Sequence, residues 1–138
     1  MANKILLEVV TPDRLLLSKE VEVVVATSVE GEFAVLYGHV PFLASLAVGE
    51  LKLKDGNNID YASVNEGFAE VTGQKVTILT KSAELAREID VDRARKARER
   101  AEQRLVKSGS EQINCARAEA ALKRAMLRIK IVERSKAI

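Results

Sequence analysis

The chain has no tryptophan, one cysteine, one histidine and two prolines, and none of its five aromatic residues lies beyond Phe68. Each shortage excludes some chemistry. A single thiol, Cys115, rules out an intramolecular disulfide and an all-cysteine zinc site, and it suits a reducing compartment. Cys115 therefore reads as a small buried or half-buried packing residue. His39 has neither a second histidine nor an acid at ligand spacing, so a metal site or a histidine general base lacks its other members. It reads as a loop histidine bonded to nearby backbone. No serine occupies a glycine-flanked elbow, so nucleophilic catalysis has no visible residues either. Long hydrophobic runs are missing as well. Val23-Val24-Val25-Ala26 falls far short of the roughly 20 apolar residues that span a bilayer, and the first ten residues lack the apolar core and cleavage site of a secretory signal. A soluble chain that stays inside the cell is the expectation.

What the sequence does contain is divided unevenly. The net charge of +2 conceals a split: residues 1–83 carry 7 basic and 11 acidic side chains, or −4, while residues 84–138 carry 15 basic and 9 acidic, or +6. The aromatic residues Phe33, Tyr37, Phe42, Tyr61 and Phe68 all fall in the acidic part. Two pieces built on different principles are implied, residues 1–84 and residues 85–138.

The first piece has the chemistry of strands and turns. From Lys4 to Thr80, short runs of Val, Ile, Leu and Phe are separated by TPD, EGE, KDGNN and TGQK. Such spacing with no helix between the runs predicts an antiparallel β-sandwich of about 80 residues. Two hairpins stand out. LKLK (51–54) and IDYASV (59–64) flank Asp55-Gly56-Asn57-Asn58, where the Asp-Gly pair supplies a positive φ, and GFAEV and KVTIL flank TGQ over residues 67–79. The segment EGEFAVLYGHVPFLASLAVGEL (30–51) reads as strand, tight loop and strand.

The second piece changes vocabulary to Ala, Arg, Lys, Glu and Leu, which predicts helix, interrupted only at KSGS (107–110). Asp90 is a natural N-cap for the first helix, with Ile89 as its staple residue. Ser108 and Glu111 form a capping box for a second helix running to about Val132. The two make an antiparallel helical hairpin, so the fold class is α+β in two pieces. At 100° per residue, Val91, Ala94, Ala101 and Leu105 form one thin apolar stripe, and Ile113, Ala116, Ala120, Leu127 and Ile131 form another. A contact layer this rich in alanine buries little area, so the hairpin is expected to be marginally stable and able to open. Arg117, Arg124 and Arg128 line up along the second helix, and Arg93, Arg100 and Arg104 along the first. These ridges read either as solvated basic faces or as an anion pocket. A basic-helix nucleic-acid-binding module is the alternative function, weakened by the absence of stacking aromatics after Phe68. An enzyme on the sandwich lacks paired acids, a metal cluster or an activated nucleophile.

Taken together, these stretches resemble the epsilon subunits of bacterial F-type ATP synthases over the whole chain. EGEFAVLYGHVPFLASLAVGEL is similar to that family's Gly-Glu, Gly-His-x-Pro and Gly-Glu-Leu signature, and NEGFAEVTGQKVTIL is similar to its closing hairpin. The resemblance implies a non-catalytic rotor subunit of the proton-translocating enzyme, peripheral to the cytoplasmic face of the bacterial membrane and not inserted in it. Its sandwich would pack on the gamma subunit and the ring of c subunits. Its helices would move between a folded hairpin and an extended form that reaches the alpha and beta subunits and blocks ATP hydrolysis. No catalytic cofactor, metal or nucleic-acid partner is implied. IDVDRA (89–94) is also similar to the motif by which some members bind ATP as a regulatory ligand on the folded hairpin. The implied site is Glu84, Ile89, Asp90, Arg93, Ala94, Arg100, Arg124 and Arg128.

Overall fold

The computed structural model describes residues 3–107 and 115–136. Its strands are β1 (Ile5–Val10), β2 (Leu15–Val21), β3 (Val23–Ser28), β4 (Gly31–Leu36), β5 (Phe42–Leu46), β6 (Gly49–Asp55), β7 (Asn58–Val64), β8 (Gly67–Val71), β9 (Lys75–Thr80) and β10 (Ala83–Leu85). A 3-10 turn, Ala86–Glu88, leads to the helices α1 (Val91–Lys107) and α2 (Cys115–Lys136). The strands pair in the order β10-β7-β6-β3-β5-β8-β9-β1-β2, with β4 on β3. Strand β3 is where this path folds over. Val23–Val25 pair with β6, whereas Ser28 alone reaches Leu46 of β5. Side chains from both resulting layers meet in one core, including Val24, Leu51, Leu53 and Ala62 from one and Ile5, Leu7, Ala69, Val76 and Ile78 from the other.

Both expected hairpins are present. The β6–β7 turn contains only Gly56 and Asn57, with Gly56 at φ 61°, so the strands reach further into the turn than their apolar pattern suggests. One pairing departs from the antiparallel expectation: β1 lies parallel to β9, Leu6 opposite Lys75 through Val10 opposite Leu79. The two strands belong to hairpins distant in sequence, and no turn joins them to dictate direction.

Strand β7 buries four successive residues, Tyr61, Ala62, Ser63 and Val64. A strand with one face in water would alternate. Ala62 and Val64 belong to the core; Tyr61 and Ser63 point the other way, where α2 covers the sheet.

Helix α2 is consequently buried on two sides. Ala118, Ala125, Ile129 and Val132 are buried and fall within about 60° of one another around the helix, forming the stripe that meets α1. Ile131 and the half-buried Leu127 lie on nearly the opposite side and meet the sandwich. This corrects the sequence reading, which assigned Ala116, Ala120, Leu127 and Ile131 to the helix–helix contact. That stripe faces the sheet, and its upper members Ala116 and Ala120 are exposed. The stripe on α1 is as expected, with Ala94 and Ala101 buried and Val91 and Leu105 half-buried. Helix α2 ends four residues later than expected, at Lys136, and its proposed capping box at Ser108 and Glu111, like Ile113, lies outside the described residues.

Candidate functional site

The site is built where β10, the 3-10 turn and α1 follow one another and α2 returns across them. Strand β10 is held to β7 by Ala83, Glu84 and Leu85, opposite Val64, Ser63 and Ala62. This register fixes Glu84 beneath α2. The chain then turns at Ala86–Glu88 and stays extended at Ile89, φ −75° and ψ 124°, before α1 begins. Asp90 caps that helix: its Oδ1 accepts the Arg93 backbone N–H at 3.1 Å, and its carbonyl accepts the Ala94 N–H at 3.0 Å. The cap predicted from the sequence is therefore formed, and it turns Arg93 and the buried Ala94 toward the returning α2.

These elements enclose a cleft of about 160 Å³ lined by Glu84, Glu88, Ile89, Asp90, Arg93, Ala94 and Arg128. Six of the eight residues implied by the resemblance are thus brought together. Arg124 lies one turn before Arg128 on α2 and lines a smaller neighbouring hollow with Ser63, Asn65 and Ser82; the two hollows share Glu84 and Arg128. Arg100 lies seven residues, or about 10 Å, along α1 from Arg93 and does not line the cleft. Arg117, on the ridge above Arg124, is exposed.

Two ion pairs organise the charges. Arg128 Nε donates to Glu84 Oε1 at 2.6 Å, tying α2 to β10. Arg14 Nη2 donates to Glu88 Oε2 at 2.8 Å, tying the 3-10 turn to the β1–β2 loop. The hydrogen bond from Arg14 holds the Glu88 carboxyl below its ordinary range against the opposing effect of partial desolvation. Among the described residues Arg93, Arg100 and Arg124 make no ion pair, which leaves their guanidinium groups available to an anion. Carboxylates that accept and guanidinium groups that donate thus border one concavity, an arrangement suited to a ligand with an amino or hydroxyl end and an anionic end. Glu88 and Arg14 escaped the sequence reading. Glu88 carries a local signal, an acid two residues before the cap, but its partner is 74 positions away and nothing local points to it.

The lone His39 behaves as a loop residue. Its Nδ1 lies 2.8 Å from the Val40 carbonyl oxygen and its ring tilts against Phe42 at 5.1 Å. Among the described residues no group of three or more His, Cys, Asp or Glu is placed to hold a metal, and no helix is long and apolar enough to cross a membrane.

Comparison with known proteins places this architecture. Residues 4–86 match the β-sandwich domain, and residues 87–133 the long α-helix domain, of the ATP synthase delta/epsilon chain. The chain belongs to this family. It is 50% identical over 131 residues to the ATP synthase epsilon chain of Nitratidesulfovibrio vulgaris, covering 95% of this chain and 97% of that one. It is 49% identical over 135 residues to that of Syntrophobacter fumaroxidans, covering 98% and 100%. Among solved structures, a chain of the Euglena gracilis mitochondrial ATP synthase, determined with OSCP, F1 and the c-ring, aligns with a TM-score of 0.68 at 29% identity, over 99% of this chain and 82% of that one. A chain from the central stalk and c-ring of the Tetrahymena thermophila enzyme shares the fold, with a TM-score of 0.58 at 14% identity. Membership in an epsilon-chain family makes this a non-catalytic subunit of ATP synthase, in accord with the absence of a catalytic constellation in the sequence. It also takes precedence over a nucleic-acid reading of the basic helices.

Proposed function

We propose that the protein is a central-stalk rotor subunit of a proton-translocating ATP synthase, attached peripherally at the cytoplasmic face of the bacterial membrane, whose helical hairpin regulates ATP hydrolysis and binds ATP when folded. The observation that carries this reading is the cleft itself. Its wall is made jointly by the connector, α1 and α2, so it exists only while the hairpin is folded on the sandwich. A ligand that fills it stabilises that conformation alone; ATP at about 100 times its dissociation constant would contribute about 2.7 kcal/mol. The Asp90 carboxylate accepts from the adenine amino group or a ribose hydroxyl, and Arg93 and Arg128 take phosphate oxygens through charge-assisted bonds. Arg124 and Arg100, a turn or more along their helices, meet the far end of an extended triphosphate.

The sandwich supplies the docking surface. On the outer face of the second layer, Phe68, Leu79, Val10 and Leu15 stand opposite one another across β8, β9, β1 and β2. Phe68, Leu79 and Leu15 are each about half exposed. An apolar row of this kind on a water-facing sheet fits a protein partner, assigned here to the gamma subunit. The loop residues Tyr37 and Val40, both exposed, are assigned to the c-ring. The extended helices, rich in arginine, would meet the alpha and beta subunits.

Co-expression with the gamma subunit tests the rotor assignment. A stable complex that Phe68→Glu disrupts is expected, and failure of the wild-type chain to form one refutes it. Deleting residues 88–138 is expected to raise ATP hydrolysis by the assembled enzyme, and unchanged hydrolysis removes the inhibitory role. Calorimetry with ATP is expected to give heat that Asp90→Ala and Arg128→Ala abolish.

A further inference from the structure

Helix α2 is fastened to the sandwich a second time, six residues beyond Arg128 and outside the cleft. Arg134 Nη1 donates to Glu50 Oε2 at 2.5 Å, and its guanidinium carbon stands 5.2 Å from the centre of the Tyr61 ring. Glu50 and Tyr61 come from β6 and β7 and share the face that α2 covers, since Glu50 pairs with Ser63 and Lys52 with Tyr61. The Glu50 side chain keeps only 10% of its exposure, and among the described residues Arg134 is its one ion-pair partner. A carboxylate so far out of water depends on that cation.

The position of Glu50 is itself fixed. Gly49, beside it, packs so closely on Thr27 that a Cβ there would overlap the threonine side chain, and Thr27 Oγ1 donates to the Glu50 carbonyl at 3.1 Å. The acid is thus presented by rigid strands, while the arginine arrives on the element that moves. The planar guanidinium both stacks on Tyr61 and donates to Glu50, which an ammonium group does less well.

We propose that Glu50, Tyr61 and Arg134 form a latch that sets how much of the protein holds its hairpin docked while the nucleotide cleft is empty. This rests on the reading that the hairpin leaves the sandwich. The division of labour follows from position: a ligand in the cleft reorganises Glu84 and Arg128, whereas the latch lies beyond its reach and holds α2 near its C-terminal end. Opening therefore requires the latch to break whether or not nucleotide is bound.

The test is amide exchange by mass spectrometry on the full chain, comparing Ala118–Val132 of α2 with Lys75–Thr80 of β9 as a control for the folded sandwich. Arg134→Ala and Glu50→Gln are each expected to speed exchange of α2 about tenfold, equivalent to about 1.4 kcal/mol, with β9 unchanged. Arg134→Lys is expected to fall between Arg134→Ala and wild type. Adding ATP should slow α2 exchange again in Arg134→Ala, and in the assembled synthase that variant should inhibit hydrolysis more than wild type. If α2 exchanges faster than β9 in the wild type but no faster in either latch variant, the latch is overturned and the mobile hairpin stands. If α2 and β9 exchange at one common rate in every variant, the hairpin opens only by global unfolding and both readings fall.

Discussion

Asp90 caps α1 and also lines the cleft, and different substitutions separate the cap from the proposed ligand contact. Its Oδ1 accepts the Arg93 N–H, and the same carboxylate borders the cleft with Arg93 and Arg128. Alanine removes the acceptor and the charge. Asparagine keeps an acceptor oxygen of the same reach and removes only the charge. Loss of an N-cap acceptor costs about 1 kcal/mol, which raises the population of frayed α1 about fivefold. Loss of the charge alone forfeits the interaction with the helix dipole, about 0.3–1 kcal/mol and less at high salt. Amide exchange over Val91–Arg98 should therefore accelerate about fivefold in Asp90→Ala and clearly less in Asp90→Asn at moderate salt. On the proposed function, ATP calorimetry should find both variants impaired, because the carboxylate is the proposed acceptor from the ligand. Equal acceleration by the two substitutions would refute the cap as the source of helix stability. Full ATP binding by Asp90→Asn would refute the carboxylate as a ligand contact.

Three further outcomes follow from local geometry. The folded Glu88 pKa lies below its ordinary 4.5 because of Arg14, so the pair's stabilisation is present above that pH and is lost as the pH falls through the depressed value. The unfolding free energies of wild type and Glu88→Gln from urea titrations should differ slightly at pH 7, by less than about 1 kcal/mol, and converge in acid; divergence on acidification would refute the assignment. Ala125 is 1% exposed in the α1–α2 contact, so Ala125→Leu should cost about 1–3 kcal/mol through overpacking, read as faster exchange of both helices. Gly67 has φ 146° and an added Cβ would collide with the Leu79 carbonyl oxygen, so Gly67→Ala should cost about 2–4 kcal/mol, seen as a lowered thermal midpoint.

What the sequence made legible was local. The β6–β7 and β8–β9 hairpins and the Asp90 cap each depend on residues a few positions apart, and each is where its pattern placed it. What it hid depends on distance. The parallel pairing of β1 with β9 joins hairpins about 70 residues apart, and no turn chemistry records it. The Arg14–Glu88 and Glu50–Arg134 contacts span 74 and 84 positions. Strand β10 is only three residues long, too short for a period to emerge. The second helix was misread for a subtler reason. It carries two apolar stripes, and periodicity alone cannot say which one meets α1 and which meets the sheet. Of the site, the motif around Asp90 could be read directly, whereas the partition of the arginines could not. Arg93 and Arg128 enter the cleft, Arg124 lies beside it and Arg100 does not line it, because that choice depends on the axial offset of two antiparallel helices.

The surface that α2 covers bears on whether it can leave. Under the helix the sheet presents Glu50, Tyr61 and Ser63, while the opposite face of the same strands presents Leu51, Leu53, Ala62 and Val64 to the core. Uncovering the first set puts a carboxylate, a phenol and a hydroxyl back into water, a small cost compared with uncovering aliphatic side chains. The helix is less tolerant. The buried Ile131 and the half-buried Leu127 meet the sheet, and exposing two aliphatic side chains at up to about 1.5–3 kcal/mol each opposes release into solvent. If α2 leaves the sandwich as proposed, the asymmetry favours exchange, its apolar residues passing to another protein surface while the sheet it vacates stays wet. On this argument the isolated chain should remain mostly docked even without ATP, and opening should become frequent only when a partner offers α2 an apolar groove. Amide exchange of α2 that is slow in the free chain and accelerates on addition of the gamma, alpha and beta subunits would support it; rapid exchange in the free chain would refute it.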